Sequence, residues 1–187
     1  ACKQCPQSKY STSLAAVSES ACIDCPARTY SKEGSSRITN CSCVRGYTGP
    51  DGASCAACAA GTFKEVNGSS LCALCPRGKY STVSAATSGS ACRDCNVHSN
   101  SEGGSSTSTD CVCNSGYTGP GGGPCVACIA GTYKDVNGST ACLECSEGKY
   151  STSLAAVSEA SCDDCPDQTY SNVGSSLVIN CTCNYGY

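Results

Sequence analysis

Apolar side chains are scattered through this chain rather than gathered. The longest apolar run free of cysteine is Leu14 to Val17. Between the cysteines the sequence is rich in Gly, Ser, Thr and Asn and carries turn dipeptides such as Asp51-Gly52 and Asn67-Gly68. That pattern predicts short irregular strands joined as hairpins. Helix is a weak option only around Leu14 to Glu19 and Leu154 to Glu159. No stretch approaches the roughly 18 to 20 apolar residues of a membrane span. Ala1 does not open a signal peptide, since a charged start followed by an apolar segment is missing, so a mature chain or a piece of one is expected.

Composition sharpens this picture. Leu, Ile, Val and Phe together supply 22 of 187 residues, and cysteine alone supplies another 22. Aliphatics this sparse do not build an ordinary core, so covalent cross-links have to replace one. A compact cytosolic enzyme is excluded, because its compartment keeps thiols reduced and catalysis needs a packed scaffold. The fold class expected is small and disulfide-rich: an extended rod or solenoid of tandem modules with short β-hairpins and little helix.

Every cysteine recurs at an offset of 70 residues, as in the columns Cys2/Cys72/Cys142 and Cys43/Cys113/Cys183. The expected organisation is therefore repeat unit 1 over 1–70, unit 2 over 71–140 and a partial unit 3 over 141–187. The segment 11–19 returns unchanged at 151–159 but is altered at 81–89, which suggests an alternating period of about 140 residues.

Within each unit the cysteines form C-x-x-C or C-x-C doublets. Joining the second Cys of one doublet to the first of the next treats every module alike. It gives Cys5–Cys22, Cys25–Cys41, Cys43–Cys55, Cys58–Cys72, Cys75–Cys92, Cys95–Cys111, Cys113–Cys125, Cys128–Cys142, Cys145–Cys162 and Cys165–Cys181. Cys2 and Cys183 are left unpaired within the chain, with partners expected before residue 1 and after residue 187, as in a longer array. Bonds inside a doublet would close strained rings and constrain little, whereas loops of about 15 residues each restrict the unfolded chain by roughly 3 kcal/mol. Spacing alone leaves connectivity open. A four-thiolate zinc site at Cys2, Cys5, Cys22 and Cys25 fits the spacing, but eleven doublets do not divide into quartets. A thioredoxin-like redox role lacks its βαβ context.

The residues also carry a family resemblance. Cys5-Pro6-x-x-Lys9-Tyr10-Ser11, Cys25-Pro26-x-x-Thr29-Tyr30-Ser31 with Gly34-Ser35-Ser36, and Cys75-Pro76-x-Gly78-Lys79-Tyr80-Ser81 resemble ephrin-receptor-like cysteine-rich repeats, relatives of the tumour necrosis factor receptor modules. Cys41-x-Cys43-x-x-Gly46-Tyr47-Thr48-Gly49-Pro50 to Cys55 is similar to the closing loop of an epidermal growth factor-like domain. The resemblance implies rod-like stacking and the same second-to-first pairing. It is unspecific for activity, because such modules occur in receptors, adhesion proteins and filaments alike. The cysteine-rich proteins of algal flagellar hairs, or mastigonemes, offer a looser analogy.

Tyr10, Tyr30, Phe63, Tyr80, Tyr133, Tyr150 and Tyr170 each follow a Cys by five residues, and Tyr47, Tyr117 and Tyr187 by four. One ring per module suggests an aromatic packed on its disulfide as a minimal core; a row of exposed Tyr binding carbohydrate or a partner is the other reading. After Cys95 the pattern breaks, with Asn100 in the aromatic position. That module holds the single His, His98, which reads as surface variation, since nothing in the sequence marks a catalytic cleft around it. No catalytic residue, metal ligand or cofactor is expected. Asp163-Asp164 and the pair Asp135 and Glu144 read as solvated charge, because no calcium-loop pattern is present.

The net charge of −3 offers no basic patch for nucleic acid. Along the chain the balance runs from +2 over 1–70, through zero over 71–140, to −5 over 141–187, which permits head-to-tail attraction between copies. Asn67 and Asn137 sit in Asn-Gly-Ser sequons on expected turns; Asn40 and Asn180 are weaker sites, because a cysteine destined for a disulfide follows each. The sequence thus reads as a non-enzymatic extracellular structural glycoprotein, a segment of a fibre or surface appendage. Its partners would be copies of itself or adjoining repeats, together with covalent glycans. The alternative is a receptor or adhesion ectodomain for a protein ligand, with Asn96 to Gly104 as its distinctive patch.

Overall fold

The computed structural model describes residues 4–13 and 18–184. The expectations that fall on Cys2, on Leu14 to Val17 and on Tyr187 lie outside them. Twenty strands of two residues pair into ten two-stranded sheets, six short 3₁₀ turns complete the regular structure, and α-helix is absent among the described residues. The fold is a series of small disulfide-rich modules.

One local device repeats in all ten. Three residues after the first bridging cysteine the backbone turns to positive φ. The positions are Ser8, Arg28, Gly46, Gly61, Gly78, His98, Gly116, Gly131, Gly148 and Gln168. The next N–H closes the turn onto the carbonyl three residues back, as in Lys9 to Pro6 at 3.2 Å and Tyr117 to Asn114 at 3.1 Å. The chain then enters its first strand, loops out, and returns antiparallel just beyond the second cysteine: Thr29–Tyr30 pairs with Ser42–Cys43, and Thr132–Tyr133 with Leu143–Glu144. A disulfide seals each loop, with Cα separations of 5.6 to 5.8 Å.

The two longer loop types, those of 16 and 17 residues' separation, add a 3₁₀ turn just before the closing cysteine. Ser18, Ser88 and Ser158 cap theirs by accepting from the N–H two residues on. Asn40 and Asn180 do the same office through Oδ1, accepting from Arg37 N and Leu177 N at 2.9 Å. Around Leu154 to Glu159 the weak helix expectation fails. Ala155 lies at φ 52°, Ala156 bridges in parallel to Tyr133, and only Glu159–Ser161 is helical, as a 3₁₀ turn.

The described residues divide into two compact bodies: those up to Arg93 with Gly103–Thr107, and Asp94–Glu102 with those from Ser108 onward. The first holds the bridges Cys5–Cys22, Cys25–Cys41, Cys43–Cys55, Cys58–Cys72 and Cys75–Cys92. The second holds Cys95–Cys111, Cys113–Cys125, Cys128–Cys142, Cys145–Cys162 and Cys165–Cys181. In each, the core is sulfur rather than hydrocarbon. Eleven cysteines and two alanines are its buried apolar residues, whereas every described Tyr, and Phe63, keeps solvent contact. The rings thus stay partly exposed, and in eight modules the residue after the aromatic position is buried. That residue is Ser11, Ser31, Ser81, Ser101, Ser151 or Ser171 in six modules, and lysine in two. Ser31 and Ser171 satisfy their hydroxyls on the carbonyls of Lys9 and Lys149 at 2.9 and 2.8 Å.

Candidate functional site

The two lysines, Lys64 and Lys134, are 3% and 1% exposed. A lysine buried this deeply needs partners for its ammonium. Lys64 Nζ donates to Tyr47 O at 2.8 Å, in the preceding module, and to Gly68 O in its own. Its backbone N–H reaches forward to Ala86 O at 3.0 Å and its carbonyl accepts from Gly46 N at 3.0 Å. One residue therefore pins three consecutive modules. Lys134 repeats the arrangement with Tyr117 O, Gly138 O, Ala156 O and Gly116 N. Burial holds both ammonium groups below the ordinary lysine pKa, and at Lys64 the charge of Asp51 offsets part of that effect.

Backbone contacts complete the junction. Gly68 and Gly138 donate to Cys43 O and Cys113 O at 2.8 Å. Gly61 N reaches Ser81 O and Gly131 N reaches Ser151 O, each at 2.7 Å. A Cβ at Gly46 or Gly116, both at positive φ, would collide with the carbonyl of Ala85 or Ala155, so the close approach of modules requires glycine there.

In the modules closed by Cys25–Cys41 and Cys95–Cys111 the positive-φ position carries a side chain that covers the next ring. Arg28 places its guanidinium 5.3 Å from the centre of Tyr47. His98 stacks on Tyr117 with centroids 4.0 Å apart and planes 7° apart. His98 is exposed, as a surface position, yet it has a partner: its imidazole holds the place over the next ring that the Arg28 guanidinium holds seventy residues earlier. Neighbouring residues of the odd stretch are also engaged, Asn96 donating through Nδ2 to Gly122 O and Gly123 O, while Val97 is 79% exposed.

The remaining expected site residues are placed as follows. All twenty cysteines in the pairing scheme are bonded, so the thiolates of a zinc quartet are not present at Cys5, Cys22 and Cys25. Cys183 is the free cysteine among the described residues and is exposed. Asp164 takes the Lys149 ammonium at 2.5 Å, and among the described residues no three His, Cys, Asp or Glu side chains gather as a metal site. Asn40, Asn67, Asn137 and Asn180 are all exposed, with Oδ1 of each accepting backbone N–H: Arg37 and Ser36, Arg45, Ser115, and Leu177 respectively.

The family model described as tyrosine-protein kinase ephrin type A/B receptor-like matches residues 46–92 and 116–162, together just over half of the chain. This chain belongs to the ephrin-receptor-like repeat family. Each matched segment of the ephrin-receptor-like repeat opens at the glycine that meets the lysine carbonyl and ends on a cysteine of the module that the lysine N–H reaches. Each lysine's own four bonds thus lie inside the matched segment, while the Gly68 and Gly138 contacts reach back to Cys43 and Cys113 just before it. The repeats are 38% identical to Ephrin type-B receptor 1 of Gallus gallus over 66 residues, 34% of this chain and 7% of that protein. They are 36% identical to Ephrin type-B receptor 4 of Homo sapiens over 93 residues, 47% of this chain and 7% of that protein. The chain spans only a small fraction of the length of these curated relatives.

Proposed function

We propose that the chain is a non-enzymatic extracellular structural glycoprotein, a tandem-repeat segment of a fibre or cell-surface appendage. The observation that carries this reading is the lysine junction, present at Lys64 and again at Lys134. The chemistry that recurs is the chemistry that joins modules, which is what a repeat array needs. Ten disulfides support an oxidising, extracellular setting. No helix among the described residues is long and apolar enough to cross a membrane. In this reading the repeat units are 1–70, 71–140 and 141–187. The partners are adjoining repeats or further copies, drawn head to tail by the charge difference between the first unit and the last, and Asn67, Asn137, Asn40 and Asn180 are the glycan acceptors.

The names of the relatives favour a second reading, a receptor or adhesion ectodomain, for which we propose Asn96 to Gly104 as the patch that binds a protein ligand. Electron microscopy of the native material separates the two. Long fibres whose axial repeat matches the 70- or 140-residue unit support the first. Dispersed particles that bind a protein, and lose it when Asn96 to Gly104 is exchanged for the sequence of the first unit, overturn it.

A further inference from the structure

A cleft of about 310 Å³ opens in the first body between Tyr30, Lys32, Ser35, Asn40, Ser42 and Asn67. Its volume is at the low end for small-ligand sites, yet its lining is unlike theirs. It has one aromatic ring, one cation, two hydroxyls and two carboxamides, with no aliphatic side chain. Such a lining suits a sugar, which offers hydroxyls and acetamide groups at its edge and C–H bonds on its face. Two of the six residues are sequon asparagines. Asn67 accepts Arg45 N through Oδ1 at 3.0 Å, which fixes the carboxamide, and among the described residues its Nδ2 makes no hydrogen bond. That nitrogen is the atom a glycan takes.

We infer that this cleft seats the first sugars of an N-linked glycan carried by Asn67, with Tyr30 as the stacking face and Asn40 and Lys32 as polar walls. The inference rests on the glycoprotein reading above. The seat is assigned to the glycan of Asn67 rather than to that of Asn40, the weaker sequon, because Cys41, its middle residue, is fully buried in its bridge to Cys25 and Ser42 is held in a strand against Tyr30. Asn67 lies on an exposed turn, and the space around Gly68 is open. Seventy residues on, Asn137 keeps the same turn, with Oδ1 on Ser115 N at 2.8 Å. The wall has changed: Asn100 replaces Tyr30, Glu102 replaces Lys32, Asp110 replaces Asn40 and Val112 replaces Ser42. The same sugar chain on Asn137 would meet neither ring nor cation and would project freely. Seated and free glycans then alternate from one repeat unit to the next.

The test uses the whole chain secreted from a eukaryotic host. Glycopeptide mass spectrometry first reads occupancy, and an unmodified Asn67 overturns both the seat and its acceptor. With glycan in place, enzymatic release of N-glycans from the native protein is timed at each site. Release at Asn67 is expected about tenfold slower than at Asn137, the protection that about 1.4 kcal/mol of seating gives. Tyr30→Ala should bring the Asn67 rate within twofold of Asn137 and leave Asn137 unchanged. Equal rates in the native chain, or no response to Tyr30→Ala, overturn the seat and leave the glycoprotein reading intact. Should Tyr30→Ala not be secreted, the double variant Asn100→Tyr with Asp110→Asn serves in its place. It creates no new sequon and should slow release at Asn137 alone; an unchanged rate there overturns the seat equally.

Discussion

Replacing Lys134 by methionine removes the ammonium and keeps the aliphatic stem. Tyr117 O and Gly138 O then lose their shared donor inside a site where the side chain is 1% exposed. A hydrogen bond from a charged donor is worth about 1.5–3 kcal/mol net, so two would suggest up to about 6. The ammonium's own burial works against that figure, since desolvation holds its pKa below the ordinary lysine value. The net expected cost is about 2 kcal/mol, or roughly thirtyfold in a local opening equilibrium. Amide hydrogen exchange with all disulfides intact reads it directly. Gly116 N–H, bonded to Lys134 O, and Gly138 N–H, bonded to Cys113 O, should exchange about thirtyfold faster. Gly46 and Gly68, their counterparts around Lys64, lie in the other body and should not change, so the protein carries its own control. Protection within threefold of wild type at Gly116 and Gly138 would refute the junction. Equal losses at Gly46 and Gly68 would refute its locality.

Three shorter tests follow. His98→Ala removes the Tyr117 stack but keeps the strained backbone and should cost about 1 kcal/mol, seen as roughly fivefold faster exchange at Asn114 N–H, which bonds His98 O; His98→Gly relieves the positive φ and should recover most of the loss. In non-reducing peptide mapping under denaturing conditions, iodoacetamide should modify Cys183 and leave Cys5, Cys22 and the other bridged cysteines untouched; label on Cys5 or Cys22 would refute the pairing. A hydrogen bond to Glu147, then burial and the charge of Glu147, raise the Tyr170 pKa above 10.0. The folded state therefore holds that proton longer than the unfolded chain, and stability falls as pH rises from about 10 through the raised value. Ultraviolet titration should show Glu147→Gln shifting one tyrosine back towards 10; an unshifted curve would refute the contact.

The disulfide lattice was legible because covalent pairing imposes a period that nothing else in the chain obscures. Gly46 was visible only as part of the Gly-Tyr-Thr-Gly-Pro motif; that a side chain there would meet the carbonyl of Ala85 depends on a neighbouring module. Lys64 and Lys134 were not legible. A lysine followed by Glu or Asp reads as solvated charge, and its burial depends on main-chain carbonyls that only the assembled modules present. The signal lay in a comparison between modules: the residue after the aromatic position is Ser in six of them, Thr in two and Lys in two. The stack of the exposed His98 was not legible for a related reason, since its partner Tyr117 belongs to the next module and the pairing is invisible within its own. Arg28 with Tyr47 supplied the matching pair one period earlier.

Because only one or two residues separate the end of each bridge from the start of the next, a chain pulled at its ends transmits tension from sulfur to sulfur. The loops lie outside that path. Each bridge spans 5.6 to 5.8 Å between Cα atoms, while a separation of 17 residues, fully extended, reaches roughly 55–60 Å. Pulling therefore breaks hydrogen bonds at the junctions without releasing this stored length. Reduction releases it one module at a time. The redox state of the surroundings, rather than the stability of the fold, sets how far such a chain can stretch.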